Sequence, residues 1–135
     1  LLSNWERVDT RGFAKLGTGL TESSGVYSFP STGHYLIQFI AFLSNSNAEE
    51  RFCKAFIEVT EDNSSFNSAN DTRTSLAGSS NQRNGSIHCS HVFDVTNTTN
   101  DKFKVGVDHS DSNTVVHGDS NTSETYIIVT KLAET

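Results

Sequence analysis

Apolar and polar residues alternate with period two along much of this chain, and in two segments the alternation gives way to strands that are apolar on both sides. The first covers residues 33–43 (GHYLIQFIAFL), with Tyr35, Ile37, Phe39, Ala41 and Leu43 on one side of the pleat and Leu36, Ile40 and Phe42 on the other. The second covers residues 125–132 (TYIIVTKL). Successive strand side chains point to opposite faces, so one domain core absorbs only one of the two rows. Helical signals are sparse, and the expected cover for the second row is another copy of the same protein rather than a layer of helices.

Other strands are expected at residues 4–8 (NWERV), around 13–16, and at 26–29 (VYSF), which Pro30 closes. Residues 51–60 read as a half-buried strand, with Cys53, Ala55, Ile57 and Val59 in one row and Lys54 and Glu58 facing away. Residues 61–85 are dominated by Ser, Asn, Asp and Gly, and predict one weak strand near 72–77 between exposed loops. Strands follow at 87–95 and 102–107, separated by the turn 96–100 (TNTTN), and a polar excursion over 108–121 is broken by Val115 and Val116. Eight to ten strands at turn-marked spacing predict an all-β sandwich or jelly roll.

The 135 residues suit a single domain spanning 1–135. Nine Gly, one Pro, no Met and a Ser/Thr/Asn-rich background agree with short strands joined by polar turns. The formal net charge of -6, with no Lys/Arg cluster, argues against nucleic acid as a partner. No stretch approaches the roughly 20 apolar residues of a membrane span, so a soluble chain without membrane insertion is expected. The missing initiator Met and leader point to a processed chain or to a domain from a longer one. Cys53 and Cys89 are too few for a disulfide-stapled scaffold, and both a buried thiol pair and a disulfide remain open.

The window Tyr27-Ser-Phe-Pro30-Ser-Thr-Gly33-His-Tyr35-Leu-Ile37 resembles the centre of the C1q-like domain, where an aromatic strand runs into Pro and then into a Gly-x-aromatic-x-apolar strand. Three further stretches fall in the same order. Trp5-Glu-Arg-Val8 resembles the early aromatic-x-x-Val strand, Asn100-Asp-Lys-Phe-Lys-Val105 the usual Gly-Asp-x-Val-x-Val, and Tyr126-Ile-Ile128-Val the closing Gly-Phe-x-Leu strand. Thr125 stands where the closing strand usually has Gly, Asn100 replaces the Gly before Asp101, and no collagen-like stalk is present, which points away from an animal C1q protein.

The resemblance implies a ten-stranded jelly roll of the C1q and tumour-necrosis-factor type that forms a compact homotrimer. It also implies that the long Gly-initiated strand and the last strand share the inner sheet, with one face in the core and the other toward the threefold axis. Parity then places Tyr35, Ile37, Phe39, Tyr126 and Ile128 in the core, and Leu36, Gln38, Ile40, Phe42, Ile127 and Val129 at the subunit interface. A monomer covering this face with its own loops is the competing expectation.

Candidate chemistry is thin. His88, Cys89 and His91 invite a metal reading, but on a strand His88 and His91 point to opposite faces. His34 precedes the interface row, where a ring of three would titrate with pH. Asp108, Asp111 and Asn113, with Asp119 nearby, are a candidate Ca²⁺ site in an apical loop; the segment lacks the Gly and terminal Glu of an EF-hand, and a solvated acidic loop is the alternative. No other cofactor is implied. Glu49 and Glu50 read as a solvated pair in a turn, and no nucleophile elbow, P-loop or His-Glu-x-x-His occurs, so no enzyme is expected. Asn-x-Ser/Thr sequons at Asn63, Asn70, Asn84, Asn97 and Asn121 mark exposed loops.

These readings converge on a non-enzymatic structural or adhesion module, a trimeric phage virion protein of a tail fibre, neck or capsid. Its partners would be itself, other virion proteins, or a cell-surface receptor or glycan met through the loops 44–50, 61–85 and 108–121. The alternative is a secreted C1q-like lectin or ligand-recognition domain that uses the same loops. The expected location is the virion or the extracellular space.

Overall fold

The structure, a computed structural model, describes residues 2–13, 15–46, 50–77 and 82–135. The described residues form nine strands: β1 (Thr21–Ser23), β2 (Val26–Ser28), β3 (Gly33–Asn45), β4 (Glu50–Thr60), β5 (Asn67–Leu76), β6 (Arg83–Val95), β7 (Lys102–His109), β8 (Thr114–His117) and β9 (Tyr126–Ala133). All pairings are antiparallel, and no helix occurs among these residues. One sheet has the order β1-β2-β7-β4-β5; in the other, β3 carries β6 along one edge, with β8 and then β9 end to end along the opposite edge. The chain is an all-β protein of two antiparallel sheets, consistent with a β-sandwich.

The alternation read along residues 33–43 sets the core. Tyr35, Ile37, Phe39, Ala41 and Leu43 are buried, and they meet Cys53, Ala55 and Ile57 of β4 and Phe103 and Val105 of β7 in one cluster. Aromatic rings fill one end of it: Tyr27 stacks on Phe103 at 4.8 Å, and Phe29 lies 4.7 Å from Tyr35 and 5.8 Å from Phe93. Residues 4–8, 13, 15 and 16 are not in strands, and residue 14 lies outside the described residues. Asn4 and Arg11 have positive φ, as do Gly12, Gly17 and Gly19, and an extended strand does not pass through such conformations. Trp5 nevertheless packs edge-on against Tyr27 and Phe39, while the Leu2 amide donates to the Val105 carbonyl at 3.2 Å, so this segment straps the sandwich without joining a sheet.

Three further differences have local causes. β1 arises because Ser24 and Gly25, both at positive φ, make a tight two-residue turn into β2. β5 runs over ten residues although it lacks an apolar row, because an edge strand is held by its ladder to β4 and can remain polar. β8 forms inside the polar excursion, where Val116 pairs with Leu43 and packs against the core.

Gly33 opens β3 at φ +138°, and a Cβ there would lie 2.5 Å from the Ala133 carbonyl and from Lys131 Cε. The register between β3 and β9 shifts at this point, and the two backbones close up. Gly33→Ala is expected to cost about 2 kcal/mol, seen as a lower urea midpoint with an unchanged slope; an unaltered midpoint would show that the β9 end yields freely.

Candidate functional site

The outer face of the four-stranded sheet is built by the residues of β3 that the core does not take. His34, Leu36, Gln38, Ile40 and Phe42 point outward, opposite Asp94, Val92, Ser90, His88 and Ser86 of β6. On the other edge, Gln38 pairs with Ile128 and Ile40 with Tyr126, and further along Phe42 pairs with His117. Leu36, Ile40 and Phe42 are half-buried within one chain, whereas Val92 and Ile128 are 52% and 46% exposed. The surface is therefore apolar at Leu36, Ile40, Phe42, Val92 and Ile128, interrupted in its middle by Gln38 and Ser90 and carrying His34, His88 and His117.

The register corrects the parity expected for the last strand. Ile127 stands opposite Phe39 and Val129 opposite Ile37, and both pack against the core; Tyr126 and Ile128 face outward instead. A strand that is apolar on both sides does not reveal which row faces inward, and only its alignment with β3 decides. Leu36, Gln38, Ile40 and Phe42 lie on the outer face as expected, joined there by Val92, Tyr126 and Ile128. Val92 belongs to the even-numbered row of residues 87–95, where polar His88 and Ser90 on the same row mask its apolar character in the sequence.

The opposite outer face is closed by its own side chains. Arg73 lies over the Phe52 ring at 5.4 Å, Lys54 over Phe56 at 5.2 Å and Lys104 over Phe66 at 4.5 Å. Each cation also pairs with a carboxylate, Arg73 with Asp71, Lys54 with Asp108 and Lys104 with Glu58. The far end of the Phe56 ring lies against β7, where a Cβ at Gly106 would come within 2.3 Å of its Cζ. Aromatic surface is thus shielded by cations on the five-stranded sheet, whereas aliphatic Val92 and Ile128 stay exposed on the four-stranded one.

The acidic loop does not gather its oxygens. Asp108 turns to Lys54 at 3.8 Å, Asp111 Oδ1 accepts from the Asn113 amide and side chain, and Asp119 Oδ1 accepts from the Asn121 and Thr122 amides. Among the described residues no group of three or more His, Cys, Asp or Glu side chains is placed to hold a metal ion. The candidate Ca²⁺ ligands Asp108, Asp111 and Asn113 are consequently capping and pairing residues in this fold.

Glu50 is not the solvated turn residue that the sequence suggests, and Glu49 lies outside the described residues. The Glu50 side chain is fully buried and accepts from the Phe52, Ser110 and Asp111 amides and from the Ser110 and Thr114 hydroxyls. Burial opposes its ionisation, but the Ser110 and Thr114 hydroxyls and the Asp111 and Phe52 amides outweigh it and hold the carboxyl down at about 2. The charge pins the β7–β8 turn to the start of β4.

Of the histidines, His88 is exposed on the outer face, while His91 lies on the core side opposite Ile37, where burial lowers its pKa. His34 Nε2 lies 3.7 Å from Asp94, and its Nδ1 is buried without a hydrogen-bond partner among the described residues. His117, which no local sequence pattern marks, lies 2.6 Å from the Ser44 hydroxyl and packs on the Phe42 ring at 5.2 Å. Cys53 and Cys89 are free and buried; burial first, then Glu50 near Cys53 and Asp71 near Cys89, pushes both thiols up to about 11, so they stay protonated.

Two of the three loops expected to meet partners fall partly outside the described residues, at 47–49 and 78–81. The fold and this face define a two-sheet, all-β protein with one shielded and one open outer surface. No protein-family model and no curated protein matches the chain.

Proposed function

We propose that this protein is a non-enzymatic structural or adhesion module, a jelly roll of the C1q type that assembles as a homotrimer through the outer face of β6, β3 and β9. The observation that carries this is the contrast between the two outer faces. Aromatic rings on the five-stranded sheet are covered by Arg73, Lys54 and Lys104, whereas Leu36, Ile40, Val92 and Ile128 have no such cover. Fully burying a large aliphatic side chain is worth about 1.5–3 kcal/mol, so several half-open ones favour a stable oligomer once association costs are met.

The pairing of the long Gly-initiated β3 with the final strand β9 is what the C1q resemblance calls for and supports the jelly-roll reading. A phage or other microbial virion or surface is the setting we assign, with the loops at the sandwich ends presenting the binding surface. Sedimentation equilibrium tests the assembly: a mass three times the 14.8 kDa of the chain is expected at micromolar concentration. A concentration-independent monomer would remove the trimer. A glycan array probes the role, since a specific hit would favour ligand recognition over a structural part.

A further inference from the structure

The outward-facing strand residues of the four-stranded sheet include three of the chain's five histidines, His34, His88 and His117, but no lysine or arginine and a single carboxylate, Asp94. Histidine is the side chain whose ordinary titration falls between pH 5 and 8. We propose that this face is a proton-binding site that makes self-association reversible, holding copies together while the imidazoles are neutral and releasing folded monomers as they gain protons. The proposal rests on the assembly reading above and adds its regulation.

The charges around each ring decide which of them act. His34 has Asp94 at 3.7 Å, so its positive form is compensated; Lys131 nearby is occupied by Ser31 and Glu134, and the Thr135 hydroxyl reaches Asp94. Its unpartnered Nδ1 would still become a buried donor without an acceptor. His88 stands opposite Ile40, and β5, alongside β6, brings Asp71 and Arg73, which pair with each other at 3.5 Å. His117 meets Ser44 and Phe42; the acidic residues that follow it in the chain are Asp119, whose Oδ1 accepts from the Asn121 and Thr122 amides, and Glu124, next to the Thr125 hydroxyl that accepts from the Phe42 amide. Among the described residues neither His88 nor His117 makes an ion pair.

Acidification therefore places two uncompensated cations per copy on an apolar surface, and like copies repel where they converge. A group protonated in the free chain but not in the assembly changes the association constant tenfold per pH unit once the pH is below its ordinary value. Two such groups in each copy weaken association on the order of 100-fold per pH unit for every subunit that joins the trimer. Glu50 remains ionised far below this range, so its anchor persists in the released monomer.

Sedimentation equilibrium at pH 7.5 and 5.5, with far-ultraviolet circular dichroism of the same samples, tests this on the full chain. The expected result is a trimer at pH 7.5, a monomer with an unchanged spectrum at pH 5.5, and a trimer at both for the variant carrying His88→Gln and His117→Gln. His88→Gln alone alters an exposed position and is expected to remove about half of the pH dependence. A wild-type trimer at both pH values, or the same pH dependence in the variants, overturns the switch while the assembly reading stands. A wild-type monomer at both overturns the assembly and the switch with it.

Discussion

Ile40→Asp is expected to leave a folded monomer under conditions in which the wild-type chain sediments as a trimer. Ile40 sits at the middle of the outer face, between His88 on β6 and Tyr126 on β9, two positions from both Gln38 and Phe42. In the isolated chain it is only half-buried, so a carboxylate there keeps access to water, and the fold loses about 1–2 kcal/mol. At an interface the same carboxylate would be taken out of water in every copy, with Asp94 as the only other outward carboxylate among the sheet's described strand residues and, opposite it, a histidine rather than a lysine or arginine. Burying an unpaired charge costs several kcal/mol per ion, and repeated in each subunit this exceeds what an apolar patch of this size supplies. Sedimentation reads the mass and circular dichroism the fold. A trimeric Ile40→Asp protein would place the contact surface elsewhere, whereas an unfolded one would show that Ile40 belongs to the core.

Glu50→Gln is expected to destabilise the domain by about 3 kcal/mol at pH 7 and to flatten its acid sensitivity. The carboxylate accepts five hydrogen bonds from four residues, and hydrogen bonds to a buried charged group are worth about 1.5–3 kcal/mol each when one is lost. An amide keeps the shape but turns an NH₂ toward donors, leaving the Asp111 amide or the Thr114 hydroxyl without an acceptor. The sign with pH follows from the lowered value. A carboxyl held at about 2, against 4.5 when unfolded, contributes stability that is fully present above pH 4.5 and lost as the pH falls toward 2.

Asp62 is also held low, by the Ser65 and Ser64 amides and the Thr60 hydroxyl, so an acid-sensitive part remains in the variant. The difference between the two proteins isolates Glu50. Urea denaturation at pH 7, 4 and 3 should show the wild-type advantage shrinking as the solution becomes acidic; an advantage independent of pH would mean that the carboxylate is not the stabilising form.

Where hydrophobic period and burial coincide, the chain was legible without coordinates. The odd-numbered row from Tyr35 to Leu43 and the row Cys53, Ala55 and Ile57 go into the core as their alternation requires. Asp101, read only as part of a turn-and-strand resemblance, proves to be buried and to accept from the Thr96 and Asn97 amides, closing the turn before β7. Residues 4–8 have strand-like composition, yet Asn4 at φ 63° breaks the extension, and Trp5 packs without a ladder. Composition reports which side chains want burial, not whether the backbone between them can stay extended.

The candidate face divides in the same way. Leu36, Ile40 and Phe42 were recognisable as a second apolar row because one core cannot take both sides of a strand. That Ile128 rather than Ile127 lies beside them, and that Lys54, Arg73 and Lys104 shield the other sheet, depends on partners distant in the chain. Glu50 and Glu49 are adjacent and chemically alike, and nothing local marks Glu50 as the buried one; its donors come from Ser110, Asp111 and Thr114, some sixty residues away.

What the amino-acid order determined by itself is the all-β character, the turn spacing, the core row of β3 and the existence of a surplus apolar face, because alternation with period two is a local property of an extended chain. What only the tertiary structure decided is the inward side of β9, the separation of the Asp108 and Asp111 carboxylates and the burial of Glu50. Each of those depends on strand register and on long-range hydrogen bonds, and a register one residue out would exchange every inward side chain for an outward one.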